Sequence, residues 1–366
     1  MVGGGGDALA AYDALAARLF AGPIAFDFPT SKGAIERREL TIADLENAAF
    51  GAVYYSYDRL LLATGARPRH LEIPGANLQG VHYLRTIADC LNIREGLKCA
   101  KRLLVIGGGW IGLEVAAAAV KLGVPVVLVE AAEQLCGRVL PKVSAEYFLE
   151  LHRARGVEVR LGARPVKVHG GKAVQSVEFA DGSVLAVSMV VVGVGVLPST
   201  RLAVECGLQV ENGIVVDASA RTSDPDIFAA GDVASQPGTM DDQRYRLESW
   251  HNAQHQGIGA ARAMLGEDWR ASELPWFWSD QYDLNFQLLG MPLASDRIFV
   301  KGDPNTGRFL QFFVTNSRIN AVAAFNSARE LREAKRLMLA NRSFDEAAMS
   351  ASASRTIFRS TPRPRC

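Results

Sequence analysis

The sequence predicts an α/β protein in which parallel-sheet units precede a C-terminal α+β domain. Three observations predict it. An apolar strand, a glycine-rich turn, a helix and a second strand follow one another within residues 101–130. A glycine run, a helical pattern and an apolar stretch open the chain in a similar order over residues 3–28. From Trp269 onward the pattern changes to short strands joined by turns, then one last helix.

Residues 101–130 organise the rest. Leu103-Leu104-Val105-Ile106 is an unbroken apolar run, as a strand buried on both faces requires. Gly107-Gly108-Gly109-Trp110-Ile111-Gly112 matches G-x-G-x-x-G, a helical run over 113–122 stops at Gly123, Val126-Val127-Leu128-Val129 is the second strand, and Glu130 ends it. Strand, turn, helix, strand and acid in that order make a Rossmann-like β-α-β dinucleotide-binding unit. Gly107 permits the tight turn, and Gly112 lets helix and strand pack closely. Gly109 admits a pyrophosphate to the helix N-terminus, where free N–H groups and the helix dipole favour negative charge. Ile111 lies within the same motif. Glu130 can accept both ribose hydroxyls of an adenosine. Ala131 and Ala132 follow it, with no neighbouring Arg for a 2′-phosphate, so NAD is expected rather than NADP.

Bulk properties narrow the classes. At 366 residues the chain has room for two or three domains, and 49% hydrophobic with 22% charged residues is ordinary for a globular protein. A formal net charge of +1 argues against a nucleic-acid or membrane partner. The five cysteines are odd in number and form no C-x-x-C, which argues for reduced thiols in the cytoplasm and against a disulfide framework or zinc knuckle. The N-terminus lacks the basic segment of a signal peptide. The best transmembrane candidate, 103–120, contains Glu114 and the glycine motif, and reads as part of the nucleotide fold. His251 and His255 are spaced i, i+4 without a third ligand, so no metal site is assigned.

In chain order, Gly3, Gly5 and Ala8 fit a second G-x-G-x-x-G/A, with Asp27 near where an acid would end the second strand; a flexible glycine leader fits the same residues. Only two residues precede Gly3, so the first strand of that unit is expected to be missing. Residues 29–33 are turn-rich, 35–49 have no clear pattern, and 53–57 look extended. Residues 59–62 form a buried strand closed by Ala63-Thr64-Gly65, an ending found where a sheet faces a nucleotide. Residues 81–98 cross toward the central unit. An amphipathic helix over 144–155 precedes strands at 157–161, 166–168 and 174–179, a hairpin turn at Asp181-Gly182, and the apolar strand 189–192. Gly193 and Gly195 would let the backbone approach a cofactor. Ile227-Phe228-Ala229-Ala230 leads to Gly231-Asp232, whose acid can accept a ribityl hydroxyl. Ser249 is a plausible N-cap for the helix over 253–265. Strands at 285–289, 297–301, 309–315 and 319–325 and a helix at 327–339 make the α+β domain, with the aromatic stretch 276–282 in its core. Residues 347–366 are expected to be a disordered tail, with docking to an acidic partner as the sharper alternative.

Four stretches together carry a resemblance: 62–68 (Leu-Ala-Thr-Gly-Ala-Arg-Pro), 107–114 (Gly-Gly-Gly-Trp-Ile-Gly-Leu-Glu), 222–232 (ending Ala-Ala-Gly-Asp) and Trp278-Ser279-Asp280-Gln281-Tyr282. Over most of its length the chain resembles the FAD-dependent NADH:ferredoxin reductases of bacterial dioxygenase and P450 electron chains. The resemblance implies a discontinuous FAD domain at 1–97 and 218–268, shortened at its N-terminus. It further implies an inserted NAD domain at 98–217 and a C-terminal domain at 269–346. It implies that Gly231 and Asp232 hold the ribityl-phosphate region of FAD, that Thr64, Gly65 and Arg67 contact the flavin nucleotide, and that Trp250 and Trp278 lie by the flavin. Glu114 and Lys32 look like the pair beside nicotinamide and isoalloxazine. Where the family carries Arg-Pro-Pro-Leu-Ser-Lys, this chain has Phe28-Pro29-Thr30-Ser31-Lys32, without the Arg.

The implied activity is transfer of a hydride from NADH to FAD, then of single electrons to an iron–sulfur ferredoxin, of Rieske or plant-type/adrenodoxin-like class, by a monomer or homodimer. No triad or paired acid/base constellation competes with this. Two rivals remain. An NADH-dependent flavin disulfide reductase needs a redox cysteine pair that the sequence lacks. A truncated NAD-binding module without flavin turnover is the non-enzyme reading.

Overall fold

The computed structural model describes residues 24–29, 35–40, 57–238, 243–270, 274–340 and 343–345. The chain divides into two compact units, 1–58 and 59–366. In the first, Ile24–Pro29 pairs antiparallel with Ile35–Leu40, Ile24 opposite Leu40. The second strand of this hairpin lies in a stretch whose sequence shows no pattern. Lys32, Gly3, Gly5 and Ala8, the extended stretch 53–56 and the tail 347–366 lie outside the described residues.

The second unit is built around a five-stranded parallel sheet. Its order is Val81–Tyr83, Met189–Val192, Leu103–Ile106, Val126–Val129, Glu158–Arg160. The three middle strands are buried along their whole length, which explains their unbroken apolar sequence. Val81–Tyr83 is the edge of this sheet, so the crossing segment joins the central unit before the helix Ile87–Cys99 begins. Three residues are too few to show a period, and only pairing identifies them.

Two apolar layers cover the sheet. On one face Leu104, Ile106, Val127 and Val129 meet Val168, Val177 and Phe179. The last three come from the antiparallel strands Pro165–Gly170 and Val174–Phe179. On the other face Leu103, Val105 and Leu128 pack with Leu113 and Phe148 of the helices Trp110–Lys121 and Lys142–Ala154. This layer continues into Phe286, Phe313 and Phe325 of the C-terminal sheet.

That C-terminal sheet is antiparallel, in the order Trp276–Gln281, Leu284–Gly290, Arg318–Phe325, Arg308–Thr315, Arg297–Asp303. Its opposite face, with Leu310, Phe312 and Val322, takes Leu331 and Ala334 of the helix Ala328–Leu339. Arg308–Thr315 and Arg318–Phe325 are therefore buried on both faces, which is why they carry so many apolar residues in succession. Among the described residues no helix is long and apolar enough to cross a membrane.

A second parallel pair, Leu60–Leu62 with Ile227–Ala229, joins segments more than 160 residues apart. It backs onto the helix Trp250–Met264, whose N-cap Ser249 accepts from Asn252 N–H.

Candidate active site

In parallel sheets, ligands bind beyond the carboxyl ends of the strands. Both parallel pairings here put the glycine-rich turns at that end. Leu103–Ile106 runs into Gly107, Val126–Val129 into Glu130, and Met189–Val192 into Gly193 and Gly195. Leu60–Leu62 and Ile227–Ala229 run into Thr64-Gly65 and Gly231-Asp232.

The central turn explains its own glycines. A Cβ on Gly107 would meet the carbonyl oxygen of Gly193 at 2.3 Å, and Gly107 has φ +110°. A Cβ on Gly112 would meet the carbonyl oxygen of Gly107 at 2.0 Å. Gly109 differs: its Cβ position has no atom within 4 Å. Gly109 is also the N-cap of the helix Trp110–Lys121, and no side chain caps that end or places an acid in its first turn. By contrast Thr86 and Asp89 close the preceding helix with a full capping box. The N–H groups at Gly109 are left for an anion, with open space before them, as a dinucleotide pyrophosphate requires. Ile111 is exposed on this first turn.

Glu130 is held in place by the turn. Its Oε2 accepts from Gly108 N–H at 2.7 Å and its Oε1 from Ala132 N–H at 2.8 Å. Each oxygen keeps a lone pair for a ribose hydroxyl. Gly193 lies 3.5 Å, measured from its Cβ position, from Gly112 N, so it lines the same turn. Gly195 faces the Arg138 guanidinium, which its Cβ position approaches to 3.3 Å. Buried Cys136 sits behind the turn, its thiol 3.6 Å from the Gly108 carbonyl. Burial, with the Glu130 charge added, pushes that thiol well up, so it stays protonated and inert. That removes Cys136 as a disulfide-exchange nucleophile.

The second edge is built where the Thr64-Gly65 and Gly231-Asp232 turns meet. Thr64 Oγ1 donates to the Ser199 carbonyl at 2.7 Å, and Ser199 N–H donates to Gly65 at 2.9 Å. Gly231 N–H donates to Gln256 Oε1 at 2.8 Å. Asp232 forms an ion pair with Arg85 at 3.4 Å, and the same guanidinium lies 3.1 Å from the Cβ position of Gly65. Arg85 thus bridges the two turns with a partly exposed guanidinium. Arg67 is exposed on the strand Ala66–Pro68, which pairs with Val196–Pro198. This ribbon ties the two edges together: Arg69 N–H donates to Gly195 at one end, and Ser199 meets Thr64 at the other.

Trp278 and Trp250 come together. Their ring centroids are 6.0 Å apart, with Trp250 65% exposed, and the Trp276 ring is 5.0 Å from that of Trp278. His251 and His255 stack on each other at 4.2 Å, and His251 meets Trp276 edge-on. Among the described residues no group of three or more His, Cys, Asp or Glu is arranged to hold a metal.

Glu114 leaves the helix toward the C-terminal sheet. Ser279 Oγ donates to its Oε1 at 2.5 Å. Burial holds the carboxyl above its ordinary range; the Ser279 hydroxyl pulls it partly back down, and the Asp280 charge adds a smaller upward push. Sequence reasoning missed both Arg85 and Ser279 as site residues. Arg85 had one local signal, its position just before the Thr86 cap; Ser279 had none beyond its place in the aromatic stretch.

The residues of the central turn fit NAD, and the described residues of the second edge fit a flavin nucleotide. Residues 24–257 match the family model for pyridine nucleotide-disulphide oxidoreductase, and 276–356 match the one for reductase C-terminal. A probable ferredoxin reductase, CtmF, of Castellaniella defragrans is 39% identical over 316 residues, 84% of this chain and 77% of that protein. The ferredoxin–NAD(+) reductase component of the anthranilate 1,2-dioxygenase system of Burkholderia cepacia is 44% identical over 288 residues, 78% of this chain and 70% of that protein. The crystal structure of the covalent putidaredoxin reductase–putidaredoxin complex matches with TM-score 0.77 and 33% identity, over 89% of this chain and 76% of that one. A family model that covers more than half its residues, and relatives this similar over most of their length, place the chain among the ferredoxin reductases of the pyridine nucleotide-disulphide oxidoreductase family.

Proposed function

We propose that this protein carries electrons from NADH through FAD to the iron–sulfur ferredoxin of an oxygenase system. The observation that carries this is the pairing of two nucleotide edges. An uncapped helix with open space at Gly109 and an acid at Glu130 forms one, and Thr64-Gly65 with Gly231-Asp232 forms the other, tied by one ribbon. FAD, when bound, would supply a centre that accepts the two electrons of one hydride and gives them up one at a time, which is the chemistry a one-electron partner needs.

The chain's own residues bind and orient. Gly109 and the first-turn N–H groups hold the NADH pyrophosphate, Glu130 the adenosine ribose, and Gly193 and Gly195 flank the turn. Gly231, Asp232, Thr64, Gly65, Arg67 and Arg85 hold the flavin nucleotide. Trp250 and Trp278 cover the flavin side. Glu114 is the group we place beside the reacting rings. The partner is a Rieske or plant-type/adrenodoxin-like ferredoxin. A reducing cytoplasm suits the free thiols Cys90, Cys99, Cys136 and Cys206, and the chain acts as a monomer or homodimer.

The test is colour and turnover. Purified protein should be yellow, or become so with added FAD, and should reduce a plant-type or Rieske ferredoxin with NADH. Protein that stays colourless after reconstitution with FAD would instead support the NAD-binding module.

Glu130→Ala should separate the two nicotinamide cofactors. NADH should lose about tenfold in affinity, the worth of a charge-assisted hydrogen bond to ribose, while NADPH changes little. Equal losses measured by titration would remove the ribose role.

A further inference from the structure

A buried polar chain crosses from the helix Lys142–Ala154 through the C-terminal sheet and ends on Glu114. Tyr282 Oη lies 3.0 Å from His152 Nδ1, and His152 Nε2 lies 2.9 Å from Gln281 Oε1. Gln281 Nε2 donates to Ser279 Oγ at 3.0 Å, and Ser279 Oγ donates to Glu114 Oε1 at 2.5 Å. His152, Gln281 and Ser279 are each no more than 1% exposed. Such a chain is costly to bury unless every member is satisfied, and here every link is made.

The hydrogens all point one way. A carbonyl oxygen only accepts, so His152 carries its proton on Nε2 and accepts a hydrogen bond from the Tyr282 hydroxyl at Nδ1. The Gln281 amide then donates to Ser279, and Ser279 has its hydrogen left for the carboxylate. Burial holds the His152 imidazole below its ordinary range, so it stays neutral and keeps this polarity. Burial pushes the Tyr282 phenol up to about 12, so it remains a donor.

We infer that Ser279, Gln281, His152 and Tyr282 are positioning residues whose aligned donors orient the Glu114 carboxyl and favour its ionised form, against the pull of burial, where the nicotinamide meets the flavin. The inference rests on the proposed place of Glu114 beside those rings. An ionised carboxylate there favours the positively charged oxidised nicotinamide over the neutral reduced one. The other charges around this chain do not replace it. Asp280, on the Ser279 strand, opposes ionisation of Glu114. Cys136, behind the glycine turn, stays neutral. At the outer end Arg155 stands 4.9 Å from the Tyr282 ring centroid and pairs with Asp283, and Lys121 donates to the Tyr282 carbonyl at 2.8 Å.

Three measurements on the full chain test this. ¹⁵N NMR of the wild-type protein should show His152 as the neutral Nε2–H tautomer at pH 7. The Nδ1–H tautomer would reverse the chain and overturn the inference. Infrared titration should give a carboxylic acid band that is absent from Glu114→Gln and therefore belongs to Glu114. In Ser279→Ala that band should persist to higher pH, with proton affinity up about tenfold, because the carboxylate has lost a donor. Tyr282→Phe keeps the ring and serves as the gentle variant, with a smaller shift in the same direction. A band unmoved in both variants overturns the inference. The ratio of NAD⁺ to NADH affinity in Glu114→Gln reads the place of Glu114 separately. A fall supports it, and an unchanged ratio removes Glu114 from the nicotinamide while the first two readouts still decide the donor chain.

Discussion

Gly109→Glu should cost NADH binding on the order of 100-fold, about 2.8 kcal/mol, with no loss of fold. The two halves of this expectation have different physical sources. Gly109 has φ −82° and ψ 179°, an extended conformation open to any residue, and its Cβ position is clear of other atoms. A side chain there disturbs nothing in the free protein. The same open space is where a pyrophosphate would reach the helix N-terminus, so a carboxylate fills it and repels the ligand. Gly109→Ala should show the milder form, a loss in affinity from bulk alone. The measurement is NADH titration beside thermal unfolding. An unfolding midpoint that holds while affinity collapses is the expected pattern; NADH affinity unchanged in Gly109→Glu would remove the pyrophosphate from this turn. Gly107 and Gly112 offer no such separation, since a Cβ at either meets backbone oxygen closer than 2.5 Å and the turn itself must shift.

This contrast also marks what a reader of the sequence can see. The unit from Leu103 to Glu130 was legible because each of its parts is local: a strand period, a glycine pattern, an alanine-rich helix and an acid fall within 30 consecutive residues. The C-terminal strands were legible for the same reason. What was hidden depends on residues far apart in the chain. Arg85 meets Asp232 across 147 positions, and Ser279 meets Glu114 across 165. Neither an isolated Arg nor an isolated Ser signals its partner. His152 reads as one position on an amphipathic helix, and only the packing of that helix against Gln281 and Tyr282 makes it part of a polar chain. The hairpin strand Ile35–Leu40 was missed because its run of Glu-Arg-Arg-Glu has no apolar alternation to register.

Phe286→Ala should remove about 3–5 kcal/mol of stability and lower a single unfolding transition of the unit formed by residues 59–366. Phe286 is fully buried, with Trp110, Phe148 and Phe325 each at 5.1 Å between ring centroids. Trp110 and Phe148 belong to helices of the central unit and Phe325 to the C-terminal sheet, so this ring sits in the apolar layer that both share. Deleting it leaves a cavity bounded by large rigid rings, which collapse poorly. Because the layer is continuous, the two parts should unfold together. Calorimetry that resolves two well-separated transitions, with only one moved by the substitution, would show that the C-terminal sheet is stabilised independently. The same change should reach the site. Phe286 is the cross-strand partner of Ser279, whose hydroxyl meets Glu114, and Trp110 adjoins Gly109. Loss of the ring frees the strand at the residue whose hydroxyl meets the carboxylate. Phe286→Ala should therefore raise the proton affinity of Glu114 as Ser279→Ala does. Phe286→Leu, which restores most of the apolar volume, should recover most of the stability and of the carboxylate's setting together.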